Sequence, residues 1–268
     1  MIPEPDRNRD PRLPPAYRLV ALDEIDSTNS EAKRRAAAGA EDGTLIWARR
    51  QTAGYGRQGR GWASASGNLF LSVIVRPDCS LAEAAQFSFI TAIALGEAIG
   101  SVAQPQIDVT YKWPNDVLLN GRKVAGILLE SQGATGADGI QRLEWLVIGV
   151  GANVNSFPSD TRLPATSLHF EGCPASVSAV DLLEAFTRHL LSWINVWLEE
   201  GFAPVREVWL RHAQGLKQEI EVRLPHETLS GTFSDLDPQG TLVLTLPDGS
   251  TRRIAAGEVY LPGEAQGA

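Results

Sequence analysis

The chain is poor in the residues that build metal centres and disulfide frameworks. Its 268 residues include only two cysteines, Cys79 and Cys173, without CxxC spacing, and four histidines that form no metal-ligand pattern. Basic residues are scarce as well, because 24 Lys and Arg stand against 32 Asp and Glu and the net charge is -8. We therefore expect free thiols, no zinc, and no general attraction to DNA or anionic lipid.

Long apolar segments and a secretory leader are missing too. Residues 1–15 are rich in Pro, Arg and Asp and lack the apolar core of a signal peptide. No apolar run approaches the roughly 20 residues needed to cross a bilayer. We predict a flexible leader over residues 1–15 and a cytoplasmic protein without membrane association. At 43% hydrophobic residues, the rest of the chain can bury a large core.

Hydrophobic periodicity and turn residues divide the chain into two regions. Strands are predicted over residues 17–22, 44–49, 68–76, 109–113, 116–119, 122–130 and 143–154, and helices over residues 26–39, 81–100 and 178–200. From about residue 215, short alternating strands separated by Pro, Asp and Gly predict a small β-barrel. The fold class is therefore α+β, with a mixed domain over residues 16–213 and a small all-β domain over residues 214–263.

The most informative segment is residues 51–62, QTAGYGRQGRGW, which we call the glycine–arginine loop. Its four glycines let the backbone approach a ligand, and Arg57 and Arg60 supply fixed charges suited to phosphate or carboxylate. The loop formally matches G-x-G-x-x-G, but a dinucleotide-binding motif needs a helix directly afterwards, and residues 68–76 are predicted to form a strand. A P-loop is excluded because no Gly-Lys-Ser/Thr is present. An anion-binding loop and a solvated surface loop both stay open.

Two further motifs accompany predicted strands. Residues 112–116, Lys-Trp-Pro-Asn-Asp, place Lys112 at a strand end beside a rigid turn, and residues 123–130 follow with KVAGILLE. Residues 147–155, VIGVGANVN, form an apolar strand with glycines that ends in amides. For each motif a purely structural role is about as well supported as a functional one. The first motif could be an ordinary turn with a surface lysine, and the second a buried strand with a bulge. No Ser-His-Asp or Cys-His arrangement offers a nucleophile for covalent catalysis.

In this order the motifs closely resemble those of the biotin protein ligases: Ser27-Thr28-Asn29, then Gln51 with Gly-x-Gly-Arg-x-Gly-Arg, then KWPND with KxAGILxE, then IGxGxNVN. The likeness covers nearly the whole chain from about residue 17. It implies a class II synthetase-like catalytic domain, a mixed sheet flanked by helices, followed by an SH3-like C-terminal barrel. It also implies a monofunctional ligase, because too few residues precede the catalytic domain for an N-terminal DNA-binding domain.

The resemblance implies two half-reactions. The carboxylate of biotin attacks the α-phosphate of ATP, giving biotinyl-5′-AMP and pyrophosphate, and a lysine of an acceptor then takes biotin. The implied acceptor is the biotin carboxyl carrier domain of acetyl-CoA carboxylase or a related carboxylase. Mg²⁺ is expected on the ATP phosphates, with no protein ligands assigned. A lipoate or octanoate ligase and a biotin-responsive repressor are the alternatives, and we expect a monomer or homodimer that binds neither DNA nor membranes.

The same motifs imply roles for individual residues. Lys112 and Arg57 are implied at the junction of carboxylate and phosphate, with Lys112 as the main catalytic residue. Biotin binding is implied for Ser27, Thr28, Asn29, Gln51, Gly54, Tyr55, Gly56, Arg57, Lys112 and Gly133. ATP binding is implied for Arg57, Arg60, Trp62, Asn115, Lys123 and Asn153, with Trp62 stacking on adenine. The chain departs from the family at Tyr55, where arginine is commoner, so the loop lacks one positive charge.

Overall fold

Two sheets organise the structure, a computed structural model that describes residues 9–103, 107–135, 141–161 and 163–262. The larger sheet has the strand order β1-β2-β3-β7-β6-β5-β4, and the smaller one the order β11-β10-β9-β8-β12. The strands are β1 (Arg18–Ile25), β2 (Thr44–Gln51), β3 (Leu69–Val75), β4 (Val109–Lys112), β5 (Asp116–Leu119), β6 (Arg122–Thr135), β7 (Gln141–Ala152), β8 (Glu219–Arg223), β9 (Thr228–Leu236), β10 (Leu242–Thr245), β11 (Thr251–Ile254) and β12 (Glu258–Tyr260). The helices are α1 (Thr28–Ala37), α2 (Leu81–Ala84), α3 (Phe87–Val102), α4 (Ala179–Glu200) and α5 (Phe202–Arg211).

The larger sheet is mixed and is covered on both faces. Strands β1 and β2 run parallel, and the remaining neighbours are antiparallel. Helix α1 packs on one face against Ile46, Ile74 and Val147. Helices α3, α4 and α5 form the main core with the other face. This arrangement confirms the predicted α+β fold, a mixed sheet flanked by helices.

Local signals in the sequence form the elements that later carry the site. Ser27 is the N-cap of α1 and accepts a hydrogen bond from the backbone N–H of Ser30, as its position before a helical pattern predicts. Asn120 and Gly121 both have positive φ, 48° and 75°, and join β5 to β6 in the predicted tight hairpin. The capping box of Ser178 begins α4 as predicted.

The predicted helix over residues 81–100 is two helices, α2 and α3, separated at Gln86. The amide of Gln86 bridges two parts of the molecule, since it accepts from Trp197 Nε1 at 2.7 Å and donates to the carbonyl of Pro238 at 3.3 Å. By length and composition, Leu81–Val102 could cross a membrane, contrary to the expectation from the sequence. However, 72% of its most apolar window is buried inside the protein, which is the pattern of a core helix.

The smaller sheet is formed by strands between Glu219 and Tyr260, and we call this part of the chain the C-terminal domain. All its neighbouring strands are antiparallel. The predicted β domain is therefore confirmed, but closure into a barrel is not shown, because no pairing joins β11 to β12 in the described chain. Trp113 Nε1 donates to the carbonyl of Gly240 at 3.3 Å, and Arg206 Nε donates to that of Leu236 at 2.7 Å. These contacts hold the C-terminal domain against the turn after β4 and against helix α5.

The predicted leader is anchored where the structure describes it. Arg9 pairs with Asp181 at 2.9 Å and with Glu184, and the backbone N–H of Arg12 donates to Glu184 at 2.6 Å. Residues 9–12 are therefore held against α4, while residues 1–8 of the leader and residue 263 of the predicted C-terminal domain lie outside the described residues.

Both cysteines are free thiols, as predicted. Burial, helped by the nearby charges of Glu83 and Asp78, raises the pKa of the Cys79 thiol to about 11. The thiolate is the reactive form, so this raised pKa lowers the reactivity of Cys79 at neutral pH.

Candidate active site

A cavity of about 310 Å³ opens at the junction of the larger sheet and the C-terminal domain. It is lined by the start of α1, the glycine–arginine loop, the turn between β4 and β5, the first half of β6 and the end of β7. The predicted residues that line it are Ser27, Thr28, Asn29, Gln51, Tyr55, Gly56, Arg57, Arg60, Trp62, Lys112, Asn115, Lys123 and Asn153. Motifs more than 100 residues apart in the chain therefore meet around one space.

A buried polar network forms one wall of the cavity. Thr28 donates to Gln51 Oε1 from its backbone N–H at 2.8 Å and from its hydroxyl at 3.2 Å. Ser72 Oγ donates to Asn29 Oδ1 at 2.6 Å, and Asn29 Nδ2 donates to a carboxylate oxygen of Glu130 at 2.9 Å. Ser27, Thr28 and Asn29 are all buried. Their amide and hydroxyl groups are thus held in fixed positions, which suits recognition of a polar ring.

Gly149 makes room for this network. A β-carbon at that position would lie 2.0 Å from Asn29 Oδ1, too close for any side chain to be accommodated without moving the amide. The glycine therefore belongs to the site through packing rather than through a turn, because its φ is not in the left-handed region.

The glycine–arginine loop folds into a small closed hairpin. Tyr55 and Gly61 form an antiparallel bridge, and the N–H of Gly56 donates to the carbonyl of Arg60 at 2.7 Å. At the tip, Gln58 has a φ of 57°, a conformation that non-glycine residues rarely adopt. The hairpin aims Arg57 and Arg60 at the cavity from one short segment.

Tyr55 attaches the loop to the polar wall. Its hydroxyl donates to Glu130 Oε2 at 2.8 Å. Lys33 forms an ion pair with the same carboxylate at 2.5 Å, and its ammonium lies 5.5 Å from the centre of the tyrosine ring. A positive charge therefore stands beside the phenol, although it comes from α1 rather than from the loop.

The carboxylate of Glu130 is stabilised in its charged form. Burial acts to raise its pKa, but the hydrogen bonds from Lys33, Asn29 and Tyr55 and the charge of Lys33 together bring the pKa below its ordinary value of 4.5. Glu130 therefore stays ionised at neutral pH and holds three elements together: α1, β6 and the loop.

The two loop arginines reach across the cavity to different partners. Arg57 Nη1 donates to Asn115 Oδ1 at 3.1 Å and to the carbonyl of Gly257 at 3.5 Å. Arg60 pairs with Glu258 at 2.8 Å. Burial is the main influence on Arg57 and lowers the pKa of its guanidinium, while the charge of Asp116 opposes that effect. A half-buried cation held by neutral groups is well suited to bind an anion.

Lys112 lies at the end of β4 and is 5% exposed. Its ammonium is 5.3 Å from the centre of the Tyr260 ring, on the last strand of the C-terminal domain. Asn115, in the turn after β4, is fixed by its donation to the carbonyl of Ile127 at 2.6 Å. Lys112 is thus a placed side chain at the cavity wall, as the motif predicts, and not an exposed surface lysine.

Trp62 packs against two glycines that pair across β6 and β7. Gly126 and Gly151 are partners in the strand register. A β-carbon would lie 3.0 Å from the indole at Gly126 and 2.5 Å from it at Gly151. Lys123 lies 5.6 Å from the Trp62 ring and pairs with Asp116 at 2.7 Å. The glycines of two separate motifs therefore form one floor for an aromatic ring.

Two predicted residues lie outside the cavity lining. Gly133 is five residues beyond Leu128, the last residue of β6 that lines the cavity, about 16 Å along the strand. It packs against Leu81, 3.0 Å from the position of a β-carbon. Gly54 supports the loop from behind, since a β-carbon there would lie 2.7 Å from Gln51 and 2.6 Å from Ser64.

The structure also adds a segment that sequence reasoning missed. Gly257, Glu258, Val259 and Tyr260 line the cavity from the C-terminal domain. Strand β12 has three residues, too few to show an alternating pattern, and nothing in its sequence indicates that it reaches the larger sheet. A cavity-facing strand of this kind is found only when the docking of the two sheets is known.

Comparison with known proteins matches this architecture. Residues 60–211 match the biotin/lipoate A/B protein ligase family, and residues 216–261 match the C-terminal domain of biotin protein ligases. The chain is 37% identical to the biotin–[acetyl-CoA-carboxylase] ligase of Paracoccus denitrificans, over 90% of this chain and all of that protein. It is 34% identical to the bifunctional ligase/repressor BirA of Bacillus spizizenii, over 91% of this chain and 74% of that protein.

A solved structure extends the likeness to the fold. The biotin protein ligase of Aquifex aeolicus in complex with biotin and ATP superposes with a TM-score of 0.73 at 25% identity, covering 90% of this chain and 97% of that one. The family match includes more than half of the chain, and the Paracoccus relative is covered in full. The chain therefore belongs to the biotin protein ligase family.

Proposed function

We propose that the cavity makes biotinyl-5′-AMP from biotin and ATP and that the protein then transfers biotin to a lysine of a carrier protein. The observation that carries this proposal is the convergence of Arg57, Arg60 and Lys112 on one cavity. The same cavity is lined by the buried polar network and by the indole of Trp62. The relatives named as biotin ligases, and the related structure with biotin and ATP, support the same reaction.

Adenylation brings together two anions that repel each other, and the positively charged side chains of the cavity reduce this repulsion. The carboxylate oxygen of biotin attacks the α-phosphorus of ATP, and the bond to the bridging oxygen of pyrophosphate breaks. Arg57 and Lys112 reduce the repulsion between carboxylate and triphosphate and stabilise the charge that builds on the α-phosphate. Both reacting groups belong to the substrates, so the enzyme needs no nucleophile of its own.

The two walls of the cavity suit the two ends of the intermediate. The network of Ser27, Thr28, Asn29 and Gln51 offers donors and acceptors for the ureido ring of biotin. Trp62 offers an aromatic face for adenine, and Arg60, Asn115, Lys123 and Asn153 surround the nucleotide. We assign Tyr55 to the biotin side of the cavity as a lining residue that anchors the glycine–arginine loop to Glu130. Gly54 and Gly133 are assigned no direct contact with biotin, because they lie outside the cavity lining.

Mg²⁺ is proposed to enter with ATP. Asp116 and Glu258 are the carboxylates of the cavity lining, and each pairs with a basic side chain. Within the described ranges, no group of three His, Cys, Asp or Glu side chains could hold a metal ion. Such a site fits a cation that keeps its waters and its phosphate ligands and takes few from the protein.

In the second half-reaction the amine of the carrier lysine attacks the carbonyl carbon of the adenylate, AMP leaves, and an amide bond forms. Lys112 is positioned to stabilise the leaving phosphate. We propose a biotin carboxyl carrier domain as acceptor, because the Paracoccus relative is named for acetyl-CoA carboxylase. We further propose that the protein acts in the cytoplasm, as a monomer or homodimer, without binding DNA or membranes.

The proposal is tested in two stages with the purified protein. Incubation with ATP, Mg²⁺ and biotin should give enzyme-bound biotinyl-5′-AMP, and addition of a biotin carboxyl carrier domain should convert it to AMP and a biotinylated lysine, both read by mass spectrometry. A carrier whose acceptor lysine is changed to arginine is the control and should receive no biotin. In parallel incubations with lipoate or octanoate, formation of the corresponding adenylate in place of the biotin adenylate would favour the related acyl ligases. Specific operator binding in a gel-shift assay would indicate a repressor.

A further inference from the structure

Residues 257–260, which include strand β12, contact three of the cations that line the proposed adenylation site. Gly257 accepts from Arg57, Glu258 pairs with Arg60, and the ring of Tyr260 faces the ammonium of Lys112. These partners are provided by four consecutive residues, 257–260. The positions of the three cations therefore depend on where the C-terminal domain docks.

Tyr260 is fixed more firmly than the strand alone requires. It is 2% exposed, and its hydroxyl donates to Glu258 Oε2 at 2.6 Å, while Oε1 of the same carboxylate binds Arg60. Its ring also lies 4.6 Å from the guanidinium of Arg223 on β8. The ring plane is thus set by Glu258 and Arg223, both of the C-terminal domain, while Lys112 comes from the larger sheet.

We propose that Tyr260 is a positioning residue for Lys112: its ring binds the ammonium and holds it at the cavity for the adenylation step. An aromatic face attracts an ammonium ion most strongly where water is excluded, as at this buried lysine. A lysine carries four rotatable bonds, so a partner that restricts them raises the fraction of molecules in which the charge stands at the phosphate. The expected effect of Tyr260 on kinetics rests on the proposed function, whereas the contact between Tyr260 and Lys112 does not depend on that function.

The kinetic test compares two substitutions of Tyr260 in the full-length protein. Tyr260→Phe keeps the ring and loses only the hydroxyl, and Tyr260→Leu removes the ring. In biotin-dependent ATP–pyrophosphate exchange, we expect kcat to fall about tenfold in Tyr260→Leu, equal to about 1.4 kcal/mol, with KM for biotin and ATP within about threefold. Tyr260→Phe loses the hydrogen bond to Glu258, but burial and the contact with Arg223 still hold the ring. Because a cation–π contact needs the ring and not the hydroxyl, Tyr260→Phe should stay within about threefold of the unaltered protein in both constants.

Phe233→Leu is the matched control. It removes a fully buried ring from the same domain, away from the cavity lining, and so measures what loosening of the C-terminal domain does by itself. Melting temperatures of all variants are compared. If Phe233→Leu lowers kcat as much as Tyr260→Leu, or if Tyr260→Leu leaves kcat unchanged, the positioning role is refuted.

A spectroscopic measurement tests the contact without reference to activity. The chain has four lysines, Lys33, Lys112, Lys123 and Lys217, so carbon-13 labelling of lysine gives a simple spectrum that single Lys→Arg variants assign. The ε-methylene protons of Lys112 should be shifted upfield by the ring and lose that shift in Tyr260→Leu. Those of Lys123, which faces Trp62, should be unaffected and serve as the internal reference. An unchanged Lys112 resonance would overturn the contact, whereas absence of biotin-dependent exchange in the unaltered protein would count against the proposed function alone.

Discussion

Gly151→Ala is the substitution whose effect the structure fixes most closely. The added β-carbon would lie 2.5 Å from Cε2, 2.6 Å from Nε1 and 2.9 Å from Cζ2 of Trp62. Ordinary carbon contacts are about 3.5 to 4.0 Å, so the indole must move away from the floor by about 1 Å or more. Trp62 is carried by a surface hairpin, which can shift outward, so we expect little change in melting temperature.

The cost should appear when the nucleotide binds. If adenine stacks on Trp62, the ring has to return to a floor that is now overpacked, and overpacking of this kind costs about 1–3 kcal/mol. The affinity for ATP should therefore fall by about 5- to 150-fold. Isothermal titration with a non-hydrolysable ATP analogue measures this directly. The affinity for biotin alone, which depends on the polar wall, should change by less than about threefold.

Two controls make the test specific. Gly100→Ala adds a methyl group at the end of α3 into open space and should leave nucleotide binding unchanged. In a Trp62→Ala background, Gly151→Ala should have no further effect, because the two residues act through one contact. Full affinity in the Gly151→Ala single variant, or additive losses in the double variant, would refute the role of the glycine floor.

Three further predictions concern the loop and its anchor. Tyr55→Arg should change biotin or adenylate affinity by no more than about tenfold, about 1.4 kcal/mol, because Lys33 already places a charge beside the phenol; calorimetry showing a hundredfold gain would contradict this. Arg57→Gly should speed the release of biotinyl-5′-AMP, since the phosphate loses a charged partner, and an unchanged off-rate in a stopped-flow chase would rule the contact out. Glu130→Gln should lower the melting temperature at pH 7. Because the folded pKa of Glu130 lies below its ordinary 4.5, its contribution is complete above that pH and is lost as the pH falls through the folded value. The two melting temperatures should therefore converge in acid, and a difference that persists there would show that charge is not the cause.

Much of the site was predictable because short local sequence patterns indicate the structure around its residues. Ser27 caps a helix, Asn120 and Gly121 make a tight turn, and the order of the motifs identifies the family. The convergence of the loop with Lys112 follows from that family fold. The sequence could not supply the partners of the cations, since the contacts of Tyr260 and Glu258 depend on how the two sheets dock.

The departures from prediction have similar physical causes. Gly133 is on the same strand, β6, as the residues that line the cavity. It lies too far along that strand to reach the cavity and contacts Leu81 instead. From the sequence, tyrosine at position 55 implied that the loop lacks a positive charge. The ammonium of Lys33, which lies beside the Tyr55 ring, comes from helix α1 and could not be assigned to the loop without the structure. Sequence patterns report which residues an element presents, whereas the neighbours across elements decide what those residues do.

We propose that Arg57 and Lys112 form the catalytic pair of a biotin-adenylating site. This proposal is tested most directly by ATP–pyrophosphate exchange in the absence of carrier, with biotin, lipoate and octanoate offered in turn, for the unaltered protein and for Lys112→Ala. We predict exchange with biotin alone and a loss of at least about a hundredfold in kcat for Lys112→Ala, as expected when a preorganised charge is removed. Exchange driven by lipoate or octanoate would contradict the assignment of biotin as the substrate, and full activity in Lys112→Ala would contradict the catalytic role of Lys112.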